Sequence, residues 1–412
     1  MSKILIDKEK IERFLNRGVA NIYPNVSELR KKLESGDRLR VYQGFDPTGP
    51  YLHVGHAMGV RALRLLQEMG HEVIFLVGDY TAKVGDPDKD ATREILTDVE
   101  IEHNMEGWKK QVSKLIDFEG ENPVLFKRNY EWLSKLTPED LIKLMSHATV
   151  QQMVERDLFQ KRIANNNMIQ LQEFIYPLMQ GYDSVAMNVD IEIGGTDQTF
   201  NMLMGRHLVK EYLGKEKFVR TNKMMDAPDS KTMSKTKGNG INLSDTPEIM
   251  YGKAMSYNDA HILVGLELLT DTADREIAEI KVAIEKGENP MIYKKLMAKR
   301  IVSILHGEKA GMEAESKFNK TVQNKEINQE SVSPSKAPDD NTLLEFLKTA
   351  TEGRYSSGEI KRVIEQGGVV VIKEQGGVVK SRQKVTDFNA RVDTSPDTIY
   401  KFGKREFFRP VR

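Results

Sequence analysis

Two histidines, His53 and His56, close the part of the chain that is richest in turn residues. The segment reads Gly44-Phe45-Asp46-Pro47-Thr48-Gly49-Pro50-Tyr51-Leu52-His53-Val54-Gly55-His56. We expect a helix to begin near His53, so that both imidazoles share one helical face. The N–H groups of a first helical turn suit phosphate, and Gly55 leaves room for a flat base or ribose. The alternative is two unrelated surface histidines beside a turn.

A short polar loop with several cations is predicted further along the chain. It reads Ser230-Lys231-Thr232-Met233-Ser234-Lys235-Thr236-Lys237-Gly238-Asn239. A mobile loop that carries ammonium groups can close over pyrophosphate and stabilise charge in a transition state. The alternative is a solvated lysine-rich loop.

A glycine pair followed by an acidic residue comes directly after a predicted strand, in Gly194-Gly195-Thr196-Asp197-Gln198. Paired glycines allow a ligand to approach the backbone closely. Asp197 can accept hydrogen bonds from ribose hydroxyls, as acidic residues after strands do in nucleotide-binding folds. An ordinary strand-to-helix turn capped by Asp197 is the alternative.

Tyr176, Gln180 and Asp183 form a polar stripe on a predicted helix, at positions i, i+4 and i+7. Leu178 and Met179 lie among them, which favours the lining of a pocket. A helix with a polar outer face is the alternative interpretation.

Asp86 stands in a Gly-Asp-Pro turn after an apolar run. A carboxylate held there can bind an ammonium group. A plain surface turn is the alternative, because this tripeptide is common turn chemistry.

Four strands are predicted to position these residues, at 39–45, 72–79, 124–126 and 189–193. The run at 72–79 is continuously apolar, as in a strand buried on both faces. Helical patterns lie between the strands, including one at 54–69. Strands that alternate with helices favour an α/β fold, with a parallel sheet covered on both faces.

Outside the strands, residues 1–36 are predicted to be helical, with Ile11, Phe14 and Leu15 on one stripe. Helical periodicity alone continues through 260–269, 274–286 and 291–317. A polar stretch with two prolines then has the composition of a linker. The predicted domains are 1–243, 244–320, the linker 321–342, and 343–412.

Composition excludes several classes of function. Lys+Arg and Asp+Glu both total 61, so the chain is not a uniform polycation. It has no cysteine, which excludes disulfide scaffolds, thiolate zinc sites and cysteine nucleophiles. The N-terminal residues lack the apolar core of a signal peptide, and no stretch approaches the roughly 18 apolar residues of a membrane span. We expect a cytoplasmic protein without membrane contact.

Basic residues concentrate at the C-terminal end of this neutral chain. Thirteen basic and seven acidic residues between Arg354 and Arg412 give this end a net charge of +6. Such asymmetry favours contact with a polyanion. A solvated charged domain that only stabilises an assembly is the alternative.

Together, and in this order, the motifs resemble those of class I aminoacyl-tRNA synthetases. His-x-Gly-His early and Met-Ser-Lys about 180 residues later match the two signatures of that class. The segment before His53, the spacing of Tyr176, Gln180 and Asp183, and the Gly-Gly-Thr-Asp-Gln sequence are similar to the bacterial-type tyrosyl-tRNA synthetase family. The resemblance covers about residues 30–320. It implies a Rossmann-like parallel-sheet catalytic domain, an all-α domain and a small α+β RNA-binding domain.

The resemblance also implies roles for individual residues. Tyr42 and Asp183 would bind the phenolic hydroxyl of tyrosine. The rest of the substrate would be held by Asp86, Tyr176 and Gln180 at its ammonium and by Gln198 near its carboxylate. ATP would be bound by Gly44, Asp46, Gly55, Gly195, Asp197, Met233, Ser234 and Lys235. The phosphates would meet Thr48, His53, His56, Lys231 and Lys235, with Arg93 as a helper.

Two positions depart from the family pattern. The usual first lysine of the second signature is Thr232, and Lys231 is one place earlier. Gly59 stands where many relatives have a residue that touches the ribose, so we expect that contact to be absent.

The implied reaction forms tyrosyl-adenylate and pyrophosphate from tyrosine and ATP, then transfers tyrosine to tRNA(Tyr). It requires no permanently bound cofactor and no metal ligands from the protein, while Mg²⁺ is expected with ATP. A homodimer is a further implication of the family.

Three other functions stay open from sequence. A tryptophanyl enzyme shares the fold, but has no reason to place Tyr42 and Asp183 in its pocket. A small-molecule nucleotidyltransferase also uses an HxGH helix, but would leave residues 245–412 unexplained. A synthetase-like RNA-binding protein without activity is the third, because the second signature is altered.

Overall fold

The computed structural model describes residues 3–86, 96–225, 227, 233, 240–320, 332–338, 340, 342–375, 378–403 and 406–411. The chain divides into two compact units, Met1–Gly311 and Met312–Arg412. No helix within the described ranges has both the length and the apolar content needed to cross a membrane.

The strands of the first unit are β1 (Val19–Tyr23), β2 (Arg40–Phe45), β3 (Glu72–Val77), β4 (Leu125–Arg128), β5 (Ile191–Gly195) and β6 (Phe218–Asn222). Those of the second unit are β7 (Val332–Lys336), β8 (Val369–Gln375), β9 (Val378–Val385), β10 (Thr398–Phe402) and β11 (Glu406–Val411).

The helices before β5 are α1 (Lys8–Asn16), α2 (Val26–Glu34), α3 (Val54–Glu68), α4 (Thr81–Val84), α5 (Asp98–Met105), α6 (Trp108–Val112), α7 (Tyr130–Leu133), α8 (Pro138–Met145), α9 (Val150–Val154), α10 (Asp157–Ala164) and α11 (Leu171–Ala186). Those after β5 are α12 (Thr199–Leu213), α13 (Pro247–Met255), α14 (Ile262–Leu269), α15 (Asp274–Glu285), α16 (Pro290–His306), α17 (Glu308–Phe318), α18 (Leu343–Ala350) and α19 (Ser357–Glu365). Short 3₁₀ turns lie at Thr196–Gln198 and Asp259–His261.

Among the described residues of the first unit, six strands form one sheet in the order β1-β6-β5-β2-β3-β4. Strands β6 to β4 run parallel, and β3 is buried along Val73–Val77. The chain order reverses between β5 and β2, so their carboxyl ends flank the crevice where α/β folds bind ligands. The predicted α/β fold with a parallel sheet is confirmed.

The edge of this sheet differs from the prediction. Residues 19–23, predicted to be helical, form β1, which pairs antiparallel with β6. Strand β6 was also missed, because its polar residues Arg220, Thr221 and Asn222 are buried and hide its apolar pattern.

The helical stretch from about residue 260 to residue 318 follows the prediction with one break. Residues 291–317 form two helices, α16 and α17, because Gly307 adopts φ +86° between them. Residues 244–311 lie in the same compact unit as the sheet, so the predicted boundary at 243/244 stays a prediction.

The second unit is a small α+β fold. Its described residues form a five-stranded sheet in the order β7-β11-β10-β8-β9, with α18 and α19 packed on a core that includes Phe346, Ile360 and Tyr400. Helix α19 is capped by Ser356, whose hydroxyl oxygen accepts a hydrogen bond from the backbone N–H of Glu359.

The predicted linker at 321–342 is too long. Residues 332–336 form β7, a parallel edge strand beside β11. Pro334 is compatible with this position, because an edge strand has one side without ladder hydrogen bonds. The linker composition therefore concealed a strand.

Candidate active site

The two signature histidines meet at the start of α3. His53 caps the helix, and its ring centroid lies 3.7 Å from that of His56. His56 Nδ1 accepts the backbone N–H of His53 (3.1 Å). In the neutral ring this acceptor role places the hydrogen on Nε2, which makes Nε2 the donor that His56 can offer to a phosphate.

Gly55 is required by the close approach of these rings. A Cβ at this position would lie 2.9 Å from His53 Nδ1. Met233 packs nearby, since the same Cβ would be 3.8 Å from Met233 Cε. The predicted phosphate contacts Lys231, Lys235 and Arg93 lie outside the described residues, as does Ser234, which was predicted to bind ATP.

The turn after β2 holds Asp46 by both carboxylate oxygens. Thr81 donates its hydroxyl to Oδ1 (2.8 Å), and Tyr176 donates its hydroxyl to Oδ2 (2.9 Å). The backbone N–H of Thr48 donates to the Asp46 carbonyl (2.8 Å), which tightens the turn. Gly44 lies exposed just before it. The structure thus joins Asp46, predicted at ATP, to Tyr176, predicted at tyrosine.

Tyr42 and Asp183 lie buried beside each other, on β2 and α11. Tyr42 shares a hydrogen bond with Ser184 Oγ (2.9 Å). Asp183 accepts N–H groups from Trp132 (2.7 Å) and Asn129 (3.2 Å). Burial raises the pKa of both groups, and the nearby carboxyls of Glu192 and Asp183 further raise the pKa of Tyr42. Two buried polar groups that can bond a hydroxyl therefore lie side by side.

A buried ion pair is linked to Tyr42 through the hydroxyl of Ser184. Lys217 pairs with Glu192 and donates to Ser184 Oγ (2.7 Å). Burial lowers the pKa of Lys217, and Glu192 opposes that shift. Gln180 donates to Glu192 (3.3 Å), which ties the predicted polar stripe to this pair.

Sequence reasoning missed this support. The single acidic residue inside the apolar strand Ile191–Gly195 was the available signal, because a buried carboxylate needs a counter-charge. Trp132 and Asn129 gave no such signal.

Asp86 and Gln198 come together at the carboxyl end of β5. Gln198 Nε2 donates to Asp86 (2.7 Å) and to Asp197 (3.1 Å), while its Oε1 accepts from Asn201 (2.9 Å). Asp86 also accepts from Arg156 (2.9 Å), a residue that the sequence analysis did not consider. Burial raises the pKa of Asp197.

Two glycines at the site are explained by close neighbours. A Cβ at Gly195 would lie 2.2 Å from Asp197 Oδ1. A Cβ at Gly59 would lie 1.8 Å from Gln43 Oε1, so the Gln43 side chain fills the space that a larger residue at 59 would take.

Within the described part of the chain, no three His, Asp or Glu residues are grouped so as to hold a metal ion.

Comparisons with known proteins agree with the fold and the motifs. The family model "tRNA synthetases class I (W and Y)" matches residues 34–323. A tyrosine–tRNA ligase of Carboxydothermus hydrogenoformans is 40% identical over 416 residues, covering 98% of each chain. A tyrosine–tRNA ligase of Haemophilus influenzae is 40% identical over 405 residues, covering 96% of this chain and 95% of that protein.

Solved structures share the fold. A C-terminally truncated mitochondrial tyrosyl-tRNA synthetase of Aspergillus nidulans has a TM-score of 0.64 at 20% identity, covering 76% of this chain and 94% of that one. The tyrosyl-tRNA synthetase of Archaeoglobus fulgidus, complexed with L-tyrosine, has a TM-score of 0.58 at 23% identity, covering 74% and 99%.

Sheet, signature helix and family match define a class I aminoacyl-tRNA synthetase. Within that class, the chain belongs to the tyrosine–tRNA ligase family. The predicted family, fold class and enzyme class are confirmed.

Proposed function

We propose that this site activates tyrosine with ATP and then transfers tyrosine to the 3′ end of tRNA(Tyr). The observation that carries the proposal is the pair Tyr42 and Asp183, which lie buried beside each other on β2 and α11. A phenolic hydroxyl needs such a pair, and an indole does not. This favours tyrosine over tryptophan within a family that includes both specificities.

The chemistry requires no nucleophile from the protein. The substrate carboxylate attacks the α-phosphorus of ATP, a P–O bond forms, and the bond to the departing pyrophosphate breaks. A terminal ribose hydroxyl of tRNA then attacks the acyl carbon, and AMP leaves. The protein contributes orientation and stabilisation of phosphate charge.

The phenol pocket is assigned as follows. Asp183 accepts a hydrogen bond from the phenolic hydroxyl of the substrate, and Tyr42 forms a second hydrogen bond with that hydroxyl. Trp132 and Asn129 keep the Asp183 carboxylate in place. The ammonium end lies towards Asp86, with Tyr176 and Gln180 on the same helix as Asp183.

ATP is proposed to lie over the carboxyl ends of β2 and β5. His53, His56 and Thr48 would donate to the phosphates, and the loop of Lys231 and Lys235 would close on the pyrophosphate. Mg²⁺ would enter with ATP. The adenosine and loop contacts are assigned to Gly44, Asp46, Gly55, Gly195, Asp197, Met233, Ser234 and Lys235.

The second unit is proposed to bind tRNA. Lys380, Arg382 and Lys384 are exposed on the edge strand β9 at alternate positions, so they share one face. A row of cations on one face suits a phosphate backbone.

A homodimer is proposed through the surface between α8 and the start of α11. Exposed apolar side chains concentrate there: Ile142 is 69%, Val150 72%, Met168 72% and Leu171 83% exposed. Apolar groups gathered in this way mark an interaction surface, and the family supports a second copy of the chain as its partner. Sedimentation of Met168→Glu/Leu171→Glu should show monomers where the unmodified protein sediments as a dimer, and an unmodified monomer would contradict the proposal.

Charging of tRNA tests the proposed function as a whole. The purified protein is mixed with ATP, Mg²⁺, bacterial tRNA and one labelled amino acid at a time. We expect label on tRNA with tyrosine and none with tryptophan or phenylalanine. Transfer of label from tryptophan to tRNA would refute the proposal. A failure to transfer label from any of the three amino acids would refute it as well.

A further inference from the structure

Arg156 forms a buried ion pair inside the site, although no motif includes it. The residue precedes α10, and its Nη2 donates to Asp86 Oδ1 (2.9 Å). The side chains are only 6% and 8% exposed. Removing one partner of such a pair leaves the other charge buried and uncompensated.

The surroundings of Arg156 are rich in carboxylates. Asp86 is its direct partner, and Asp197 is near enough for the Arg156 charge to oppose the rise in the Asp197 pKa that burial causes. Gln198 bridges the two carboxylates through Nε2. A negatively charged ligand group that binds near Asp86 and Asp197 needs a cation beside it, because the two carboxylates repel it. Arg156 supplies that cation.

Arg156 also has an unused donor. Its second terminal nitrogen, Nη1, is buried and has no hydrogen-bond partner among the described residues. A buried donor without an acceptor is costly, and more so when it is charged. The planar guanidinium holds Nη1 beside the group that already binds Asp86, so an anion entering next to Asp86 would satisfy it.

Gln198 is poorly suited to bind the substrate carboxylate. Its amide nitrogen already donates to two carboxylates, and its oxygen already accepts from Asn201. An amide NH₂ has two hydrogens, and both are engaged. The role near the substrate carboxylate that the family resemblance gave to Gln198 is therefore better filled by another donor.

An amino acid presents an ammonium and a carboxylate on the same carbon. Its recognition needs an anion and a cation side by side, and Asp86 with Arg156 is such a pair. We infer that Arg156 Nη1 binds the α-carboxylate of the substrate while Asp86 binds its ammonium. The inference deepens the proposed function and rests on it.

Three related ligands separate the two ends of the substrate. Tyrosine has both charged groups, tyramine lacks the carboxylate, and 3-(4-hydroxyphenyl)propionate lacks the ammonium. Dissociation constants are measured by calorimetry on the full chain, for the unmodified protein and for Arg156→Gln, Asp86→Asn and the control Arg275→Gln. Arg275 is suitable because its side chain is 90% exposed on α15.

Arg156→Gln should weaken tyrosine binding about 10- to 100-fold, as expected for a lost hydrogen bond to a charged group, and leave tyramine binding within about twofold. Asp86→Asn should weaken tyramine binding and spare the propionate. Equal losses for tyrosine and tyramine in Arg156→Gln, or no loss for either, would overturn the inference.

Arg156→Lys covers the case in which Arg156→Gln fails to fold, because it retains a positive charge beside Asp86. A lysine lacks the fork that reaches two groups at once. The preference for tyrosine over tyramine should fall about 3- to 10-fold, and an unchanged preference would overturn the inference. If the unmodified protein fails to bind tyrosine, the proposed function itself fails.

Discussion

Tyr42 and Asp183 are polar residues in the protein interior, where a polar group without a hydrogen-bond partner is destabilising. Tyr42 is 1% exposed and Asp183 2%. Each is compensated by a neighbour, Tyr42 by Ser184 and Asp183 by Trp132 and Asn129. In the proposed tyrosine pocket both groups would bond the substrate hydroxyl, so a ligand without that hydroxyl would leave buried groups unpaired.

Tyr42→Phe should reduce selectivity for tyrosine over phenylalanine about tenfold while the fold stays intact. The reason is the loss of one of two hydrogen bonds to the substrate, and tyrosyl-tRNA synthetases are themselves the usual example of such selectivity. The measurement is the ratio of kcat/KM for the two amino acids in adenylate formation. Unchanged selectivity in both Tyr42→Phe and Asp183→Ala would contradict the pocket assignment.

His56→Ala should slow adenylate formation about 10²- to 10³-fold with little loss of tyrosine binding. The imidazole Nε2–H would stabilise phosphate charge that develops only in the transition state. Single-turnover rates at saturating ATP make the measurement, with His261→Ala as the control. A variant that loses only tyrosine affinity would speak against this role.

The sequence motifs pointed to candidate site residues, but not to the buried cations that pair with neighbouring carboxylates in the structure. The motifs singled out His53, Gly55 and Asp183 as candidates, and the family resemblance implied their roles, which stay predictions. Arg156 and Lys217 were not singled out, because a charged residue in a helical or loop pattern is normally solvated. Their role depends on contacts with Asp86 and Glu192, which are distant in the chain.

At the scale of elements, the predicted strands and helices are those with clear periodicity. Strand β3 and helix α3 lie close to their predicted bounds. The edge strands β1 and β7 were missed because they are short and partly polar. Their pairing with β6 and β11 joins residues that are distant in sequence, which no local pattern records.

His71 joins two of these elements. It lies between α3 and β3, is 1% exposed, and its Nδ1 accepts the N–H of Leu39 just before β2 (3.2 Å). Burial, with a smaller effect of Arg38, lowers the pKa of His71 to about 4. The unfolded chain therefore takes up a proton below pH 6.5 that the folded chain excludes until about pH 4.

Stability should therefore fall as the pH drops through this window. At about pH 5 the loss attributable to His71 is about 2 kcal/mol. His71→Asn offers an oxygen in place of Nδ1 and does not titrate, so it should lose less stability than the unmodified protein. Urea unfolding of both at about pH 7.5 and pH 5 measures this, and equal losses would show that His71 does not titrate as described.

At the scale of the whole molecule, positive charge is concentrated in the C-terminal part of the chain. The stretch from Arg354 to Arg412 carries +6 in a chain whose net charge is zero. It belongs to a compact unit of its own, with its own core. We therefore propose that adenylate formation and tRNA contact belong to different units.

Truncation after residue 325 should leave adenylate formation within about twofold and reduce tRNA charging. Removing cations that contact phosphates lowers the salt dependence of tRNA binding by about one unit of slope per contact. Affinity for tRNA is measured across a series of salt concentrations for both forms. Full charging with an unchanged slope would show that the second unit does not bind tRNA.

Amino-acid-dependent exchange of pyrophosphate into ATP tests the central claim most directly, because it reports adenylate formation without tRNA. The unmodified protein is assayed with tyrosine, phenylalanine and tryptophan under otherwise equal conditions. We predict exchange with tyrosine and only background with the other two. Exchange that is absent with tyrosine, or as fast with tryptophan, would contradict the assignment of Tyr42 and Asp183 as a tyrosine pocket.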